Sequence, residues 1–181
     1  KGHAISLDVS LRVTEVKSDG PQKEFKVSGT PADCVKLAIN KVMPRRPDLI
    51  LSGINHGSNA SVNVIYSGTM SAAVEGALER IPSIGFSLCE HSWEASFEAS
   101  KPAIRKIIQQ VIDNGLATGT CLNVNIPEND KAPYKGIRVC RMAIGNWEEE
   151  FDERVDPFGR PYYWLTGKFV NYDHGDDTDI A

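Results

Sequence analysis

Hydrophobic and polar residues alternate almost without interruption from His3 to Val16. Ile5, Leu7, Val9, Leu11 and Val13 fall on one side, and Ser6, Asp8, Ser10, Arg12 and Thr14 on the other. A period of two predicts a long half-buried strand. Asp19-Gly20-Pro21 marks a turn, and Glu24 to Ser28 reads as a returning strand. The period then lengthens. Val35, Ala38, Ile39 and Val42 make a helical stripe, introduced by Thr30-Pro31-Ala32-Asp33 and closed by Pro44. Thr30 is the expected N-cap, with Pro31 in the first turn and Asp33 placed to accept from free N–H groups; capping accounts for Asp33 better than catalysis does. Leu49 to Leu51 is an apolar run ending at Ser52-Gly53, the pattern of a strand covered on both faces. Met70, Ala73, Val74, Ala77, Leu78 and Ile81 recur at helical spacing, Pro82 stops them, and Ser83 to Leu88 is strand-like again. Strand, loop, helix and strand in this order predict one parallel βαβ unit.

Glu90 to Ser96 is polar apart from Trp93 and reads as a loop or a ragged helix start. Ile104, Ile107, Ile108, Val111 and Ile112 predict another helix, which Pro102 begins or kinks and Asn114-Gly115 ends. Leu122, Val124 and Ile126 alternate with Asn123 and Asn125 as in a strand, and Ile137 to Ala143 predicts one more. From Asn146 the texture changes. Glu148, Glu149 and Glu150 suit a solvated face. Phe158, Tyr162, Tyr163, Trp164, Phe169 and Tyr172 then cluster among prolines and glycines, which predicts an extended arm or hairpin. Such a surface either folds back on its own domain or is covered by a partner subunit. The expected architecture is α/β: a Rossmann-like three-layer sandwich around a mostly parallel sheet over residues 1–145, followed by a C-terminal hairpin or arm over residues 146–181.

Composition narrows the classes of function. A chain of 181 residues with 41% apolar positions can bury a substantial core. No window approaches the ~20 consecutive apolar residues of a membrane span, and the start carries no signal-peptide pattern, so a cytoplasmic protein is expected. A net charge of −4, with basic residues single or paired, argues against binding polymeric nucleic acid but leaves room for a small phosphorylated ligand. Cys34, Cys89, Cys121 and Cys140 have no C-x-x-C spacing and read as reduced core residues. The histidines, His3, His56, His91 and His174, form no close metal-type pair.

Candidate chemistry gathers between Gly53 and Thr69, where the first strand of the βαβ unit meets its helix and ligands collect in open α/β sheets. The connection is overlong, and such loops tend to be functional. It holds no charged side chain, but carries Asn55, His56, Ser58, Asn59, Ser61, Asn63, Tyr66, Ser67 and Thr69, with Gly53, Gly57 and Gly68 between them. Hydroxyls, amides and free N–H groups at a helix amino terminus suit an anion such as phosphate. Each residue also has a plainer role, as a cap or a turn former. Their number in one place favours a site. His56 either donates a proton there or lines the loop.

Ser52-Gly-Ile-Asn55-His-Gly-Ser-Asn59, followed by Ile65-Tyr-Ser67-Gly68-Thr69, resembles the signature of the SurE family of stationary-phase survival proteins, which are metal-dependent nucleotidases. Lys1-Gly-His-Ala-Ile-Ser-Leu, Val27-Ser-Gly-Thr-Pro-Ala-Asp-Cys-Val-Lys-Leu, Leu122-Asn-Val-Asn-Ile-Pro, Asp156-Pro-Phe-Gly-Arg-Pro-Tyr-Tyr-Trp and Asp177-Thr-Asp fit the same family, so the match runs nearly end to end. The resemblance implies a phosphomonoesterase acting on nucleoside 5'-monophosphates, and also on 3'-monophosphates and short polyphosphate. One divalent cation, Mg2+ or Mn2+, would activate water and polarise the phosphoryl group, with Asn55 as a metal ligand and Asn59, Ser67, Gly68 and Thr69 as phosphate-binding residues. A homodimer or homotetramer is implied through the C-terminal segment. The family's other metal ligands, a pair of aspartates and a serine ahead of the Gly2-His3 motif, are expected upstream of Lys1 with a first βα unit, and a last strand beyond Ala181; the chain alone is then expected to be inactive. A non-hydrolytic nucleotide or polyphosphate-binding module is the competing reading. Dinucleotide redox chemistry is disfavoured, because neither G-x-G-x-x-G nor a Walker A sequence occurs.

Overall fold

The computed structural model describes residues 3–16, 20–128 and 134–181. Gly2 of the opening motif and Asp19 of the expected turn lie outside them. Two compact units form, residues 1–59 with 63–137, and residues 60–62 with 138–181.

At the centre of the first unit is a three-stranded parallel sheet in the order β3-β4-β5, built from β3 (Ile50–His56), β4 (Ser83–Cys89) and β5 (Cys121–Pro127). The two faces of β4 have different residues and different covers. Ile84, Phe86 and Leu88 meet Ile107 and Val111 of α4 (Lys101–Asn114) and Ile126 of β5 in the main core. Ser83, Gly85 and Ser87 point the other way, and their small size lets α3 (Gly68–Leu78) lie close. A methyl group added at Gly85 would overlap the Met70 sulfur, and one added at Gly76 would strike the Ser83 hydroxyl. Helix, sheet and helix make the expected three-layer α/β sandwich.

Outside α3 packs α1 (Pro31–Leu37), which continues as a π-helical turn over Ala38–Val42. Thr30 and Asp33 form the predicted capping box: Thr30 Oγ1 accepts from Asp33 N at 3.2 Å, and Asp33 Oδ2 accepts from Thr30 N at 2.8 Å. Ser6 adds two bonds, donating from N to Oδ1 at 2.9 Å and from Oγ to Oδ2 at 2.7 Å. Burial opposes the charge on Asp33, yet these donors hold its carboxyl down at about 2. Lys36 of α1 reaches Glu75 of α3 at 2.5 Å. Glu75 is therefore buried but paired, and α3 is covered on two sides.

Several expectations fail for identifiable reasons. The alternation from His3 yields only β1 (Val13–Val16), paired antiparallel with β2 (Glu24–Val27). Leu7 and Val9 are left 82% and 67% exposed: among the described residues no strand or helix covers them, so alternation alone does not bury them. The run at Leu49–Leu51 is not covered on both faces. Its strand begins at Ile50, is an edge of the sheet among the described residues, and leaves Leu51 exposed. Helix α3 ends at Leu78, before Ile81, and Leu78, in its last position, is exposed. The connection into α3 is shorter than expected, since β3 runs on to His56 and α2 (Asn63–Tyr66) adds a helical turn. Pro102 begins α4 without kinking it, and Gly115 caps its end as predicted. No disulfide joins the four cysteines; Cys34, Cys89 and Cys121 are half-buried, but Cys140 is exposed, against the expectation of a core role.

In the second unit β6 (Gly145–Val155) and β7 (Pro161–Asn171) form a regular antiparallel hairpin, as the aromatic and turn pattern predicts. Tyr163 and Trp164 are exposed. Residues Ile137 to Ala143 do not form the expected strand. Only Arg141 makes a bridge, to Thr178. Its guanidinium binds Asp173 and Asp177 instead of a ladder partner, and holds the Asp173 carboxyl well below the usual carboxylate range. The Asp179 carboxylate accepts from the backbone N–H groups of Ser61 and Ala143, at 3.0 and 2.8 Å. Among the described residues no helix is long and apolar enough to cross a membrane.

Candidate functional site

A β-bulge decides which side chains meet at the carboxyl end of the sheet. Pairing runs Ser52 with Gly85 and then Asn55 with Ser87, so β3 carries one extra residue. Without it Ile54 would stand beside Ser87. The shift instead sends Ile54 to the α4 core and aims Asn55 at the face beneath α3. Gly53 makes room for this: its φ is +116°, and a Cβ there would collide with the Phe86 carbonyl oxygen. The peptide from Gly53 to Ile54 is cis.

Asn55, Ser87 and Asn125 consequently form one row across β3, β4 and β5. Ser87, fully buried, donates from Oγ to Asn55 Oδ1 at 2.9 Å. Asn59, 5% exposed, donates from Nδ2 both to Asn55 Oδ1 at 3.1 Å and to Ser87 Oγ. The other end of the Asn55 amide donates to the carbonyl oxygens of His56 and Gly57, each at 2.9 Å, fixing which way the amide points. Asn59 is also held through its backbone, donating from N to Asn125 Oδ1 at 2.7 Å and accepting at its carbonyl from Asn123 Nδ2 at 2.9 Å. Ser58 Oγ donates to Asn125 Oδ1 at 3.3 Å. Burial pushes the nearby Cys89 thiol up, against a hydrogen bond with Ser58, which disfavours the thiolate.

Ser67, Gly68 and Thr69 stand where α3 begins. Ser67 is the N-cap, its Oγ accepting from Met70 N at 3.1 Å. That bond uses a lone pair and leaves the hydroxyl proton to donate elsewhere. The first-turn N–H groups of Gly68 and Thr69 have no partner within the helix. Met70, the next residue, rests on Gly85, so the first turn of α3 lies on the small-residue face of β4.

The structure thus brings Asn55 and Asn59 into direct contact and puts Ser67 to Thr69 at a helix terminus over the same sheet face. His56 is directed away. It pairs with Leu88 on the core side and packs edge-on to Phe97, ring centres 5.1 Å apart. Sequence reasoning missed Ser87, Asn123 and Asn125 as site residues. The available signal was that Asn123 and Asn125 are two apart in a strand and must share a face, as must Ser83, Gly85 and Ser87.

As a cation site these residues are incomplete. Hard divalent ions take charged oxygen ligands. Among the described residues no three His, Cys, Asp or Glu side chains cluster to hold a metal. The one candidate oxygen, Asn55 Oδ1, is neutral and already accepts two hydrogen bonds. The residues present therefore do not fit a divalent ion by themselves. As an anion site they are well suited, because every group offered is an amide, a hydroxyl or a backbone N–H.

Comparison with known proteins meets this geometry. The family model described as Survival protein SurE matches residues 1–149. The chain belongs to the SurE family. Proteins named 5'-nucleotidase SurE from Christiangramia forsetii and Flavobacterium psychrophilum are 57% and 52% identical to it, over 98% of the chain and 69% and 70% of their own lengths. The crystal structure of the SurE protein from Aquifex aeolicus superposes with a TM-score of 0.79 at 35% identity, covering 98% of this chain and 71% of that one. The superposition on a SurE protein accords with the α/β sandwich described above.

Proposed function

We propose that the chain is that of a 5'-nucleotidase, a phosphomonoesterase that converts nucleoside 5'-monophosphates to nucleoside and phosphate. The observation that carries this reading is the convergence of Asn55, Asn59 and Ser87 at the carboxyl end of the sheet, on the face that α3 covers. The Ser67 hydroxyl and the Gly68 and Thr69 N–H groups would take the phosphate oxygens, with Thr69 Oγ1 as a further donor and Asn59 joining them by turning over one of the two amide protons it gives to Asn55 and Ser87. Such preorganised donors stabilise the charge that develops on a phosphoryl group in the transition state. Nucleoside 3'-monophosphates and short polyphosphate extend the proposed substrate range. Mg2+ or Mn2+ is the proposed ion, toward which this chain's described residues offer Asn55 alone. Assembly as a homodimer or homotetramer in the cytoplasm, with Tyr163 and Trp164 covered by a neighbouring subunit, completes the proposal.

The test is phosphate release from adenosine 5'-monophosphate by the full-length protein, with and without divalent metal. Release that chelation abolishes supports the reading. Tight nucleotide binding with no release would replace it with a non-hydrolytic binding module, a role that the neutral phosphate cradle could fill without carboxylates. Metal titrations of activity in wild type and Asn55→Ala test ligation by Asn55: a midpoint moved to higher metal concentration supports it, and coincident midpoints overturn it. Sedimentation as a strict monomer would overturn the assembly.

A further inference from the structure

We propose that Asn123 and Asn125 of β5 are positioning residues that clamp the main chain of Asn59 in its working place, a role that rests on the reading of Asn59 as part of the phosphate site. Three hydrogen bonds close a ring. Asn59 donates from its backbone N to Asn125 Oδ1 at 2.7 Å, Asn125 Nδ2 donates to Asn123 Oδ1 at 3.2 Å, and Asn123 Nδ2 donates to the Asn59 carbonyl at 2.9 Å. The two side chains do for Asn59 what a neighbouring strand does for a residue in a ladder, engaging its N–H and its C=O together. Asn59 needs such a substitute. It is buried, it lies beyond the end of β3, and its side chain is committed to Asn55 and Ser87.

Direction is the distinctive property of this ring. Each amide donates one way round and accepts from the other, so turning any one of them sets two oxygens or two NH groups face to face. Asparagine is required for this and not merely tolerated. Aspartate has the same shape and no donor, and serine is too short to span the gap. The clamp also keeps the Asn59 side chain in register with Asn55 and Ser87, which matters for a group that must be in place as charge develops. A purely structural role would satisfy buried backbone groups and nothing more.

The experiment uses the full-length protein with Asn123→Asp, which turns a donor into an acceptor without changing shape, and Asn125→Ser, which shortens the side chain without adding charge. For each, kcat and KM for adenosine 5'-monophosphate, the thermal midpoint, and amide hydrogen exchange across residues 57–60 are measured. The clamp predicts kcat reduced roughly a hundredfold, as for other small displacements at a reacting centre, with KM nearly unchanged and the thermal midpoint within a few degrees. Exchange across residues 57–60 should be roughly fivefold to tenfold faster while β4 keeps its protection. Unchanged kcat, or unchanged exchange in that segment, overturns the proposal, as does a fall of kcat only in proportion to thermal stability in both variants. A wild-type protein that releases no phosphate would sink the nucleotidase reading separately, and local exchange would still decide the clamp.

Discussion

The β3-β4-β5 sheet and the β6-β7 hairpin satisfy their backbones equally well, yet they are different kinds of structure. In the sheet, ladder bonds are backed by packing on both faces: Ile84, Phe86 and Leu88 against α4, and Ser83, Gly85 and Ser87 against α3. The hairpin has eleven paired positions, more than either ladder of the sheet, but Phe151, Trp164 and Leu165 stay 62–66% exposed. Its side chains contribute little beyond local contacts such as Trp147 edge-on to Phe169. A two-stranded hairpin alone is marginal in water. Hydrogen-bonded regularity and stability are separate properties, and a fixed site is built where packing holds the strands.

The sharpest way to break this contrast is Ile84→Ala. Ile84 is fully buried, and its loss should cost about 3–4 kcal/mol in urea unfolding; a cost below about 1 kcal/mol would mean that the sheet is no better packed than the hairpin. Next comes Thr69→Ala at the start of α3. Loss of one donor to the transition state should lower catalytic efficiency by about 3 kcal/mol, as in other enzymes, with stability nearly unchanged. Equal kcat/KM in the variant would remove Thr69 from the site. Smaller again is Asp33→Asn, which weakens the capping box and the Ser6 bonds and should cost about 1–2 kcal/mol at neutral pH. The Asp33 carboxyl titrates lower in the folded chain than in the unfolded one, so its contribution is complete above its ordinary value of 3.8 and is lost as pH falls toward about 2. The gap between wild type and variant should close over that window in acid unfolding. Least of all is Leu165→Ser in the hairpin, expected to change stability by less than about 0.5 kcal/mol. A large loss would show that this face is covered in the assembled protein, and would sharpen the proposal of a partner subunit.

How far the chain could be read without coordinates varied with how local the signal was. Helix α4 and strand β5 follow from spacing within a dozen residues, and the capping box at Thr30 and Asp33 from four. The parallel βαβ unit was legible for the same reason, since strand, helix and strand are consecutive. The first strand was not. Perfect alternation from Ile5 to Val13 states which side would be buried, not whether anything lies there to bury it. At the site, Asn55 and Asn59 stood out within an uncharged loop. Ser87, Asn123 and Asn125 did not, because polar residues alternating in a strand ordinarily face water. Their face is covered by α3, and that follows only from topology. The extra residue in β3 was hidden likewise, being visible only against the register of β4.

The small-residue face of β4 also works as a depth gauge. Gly85 seats the Met70 sulfur, one residue past Thr69 and two residues before Ser87. How closely α3 lies on β4 at this point is therefore set by a single glycine. A family built on this frame could change the depth of its cleft by changing that seat, while every residue of the proposed phosphate site stayed the same.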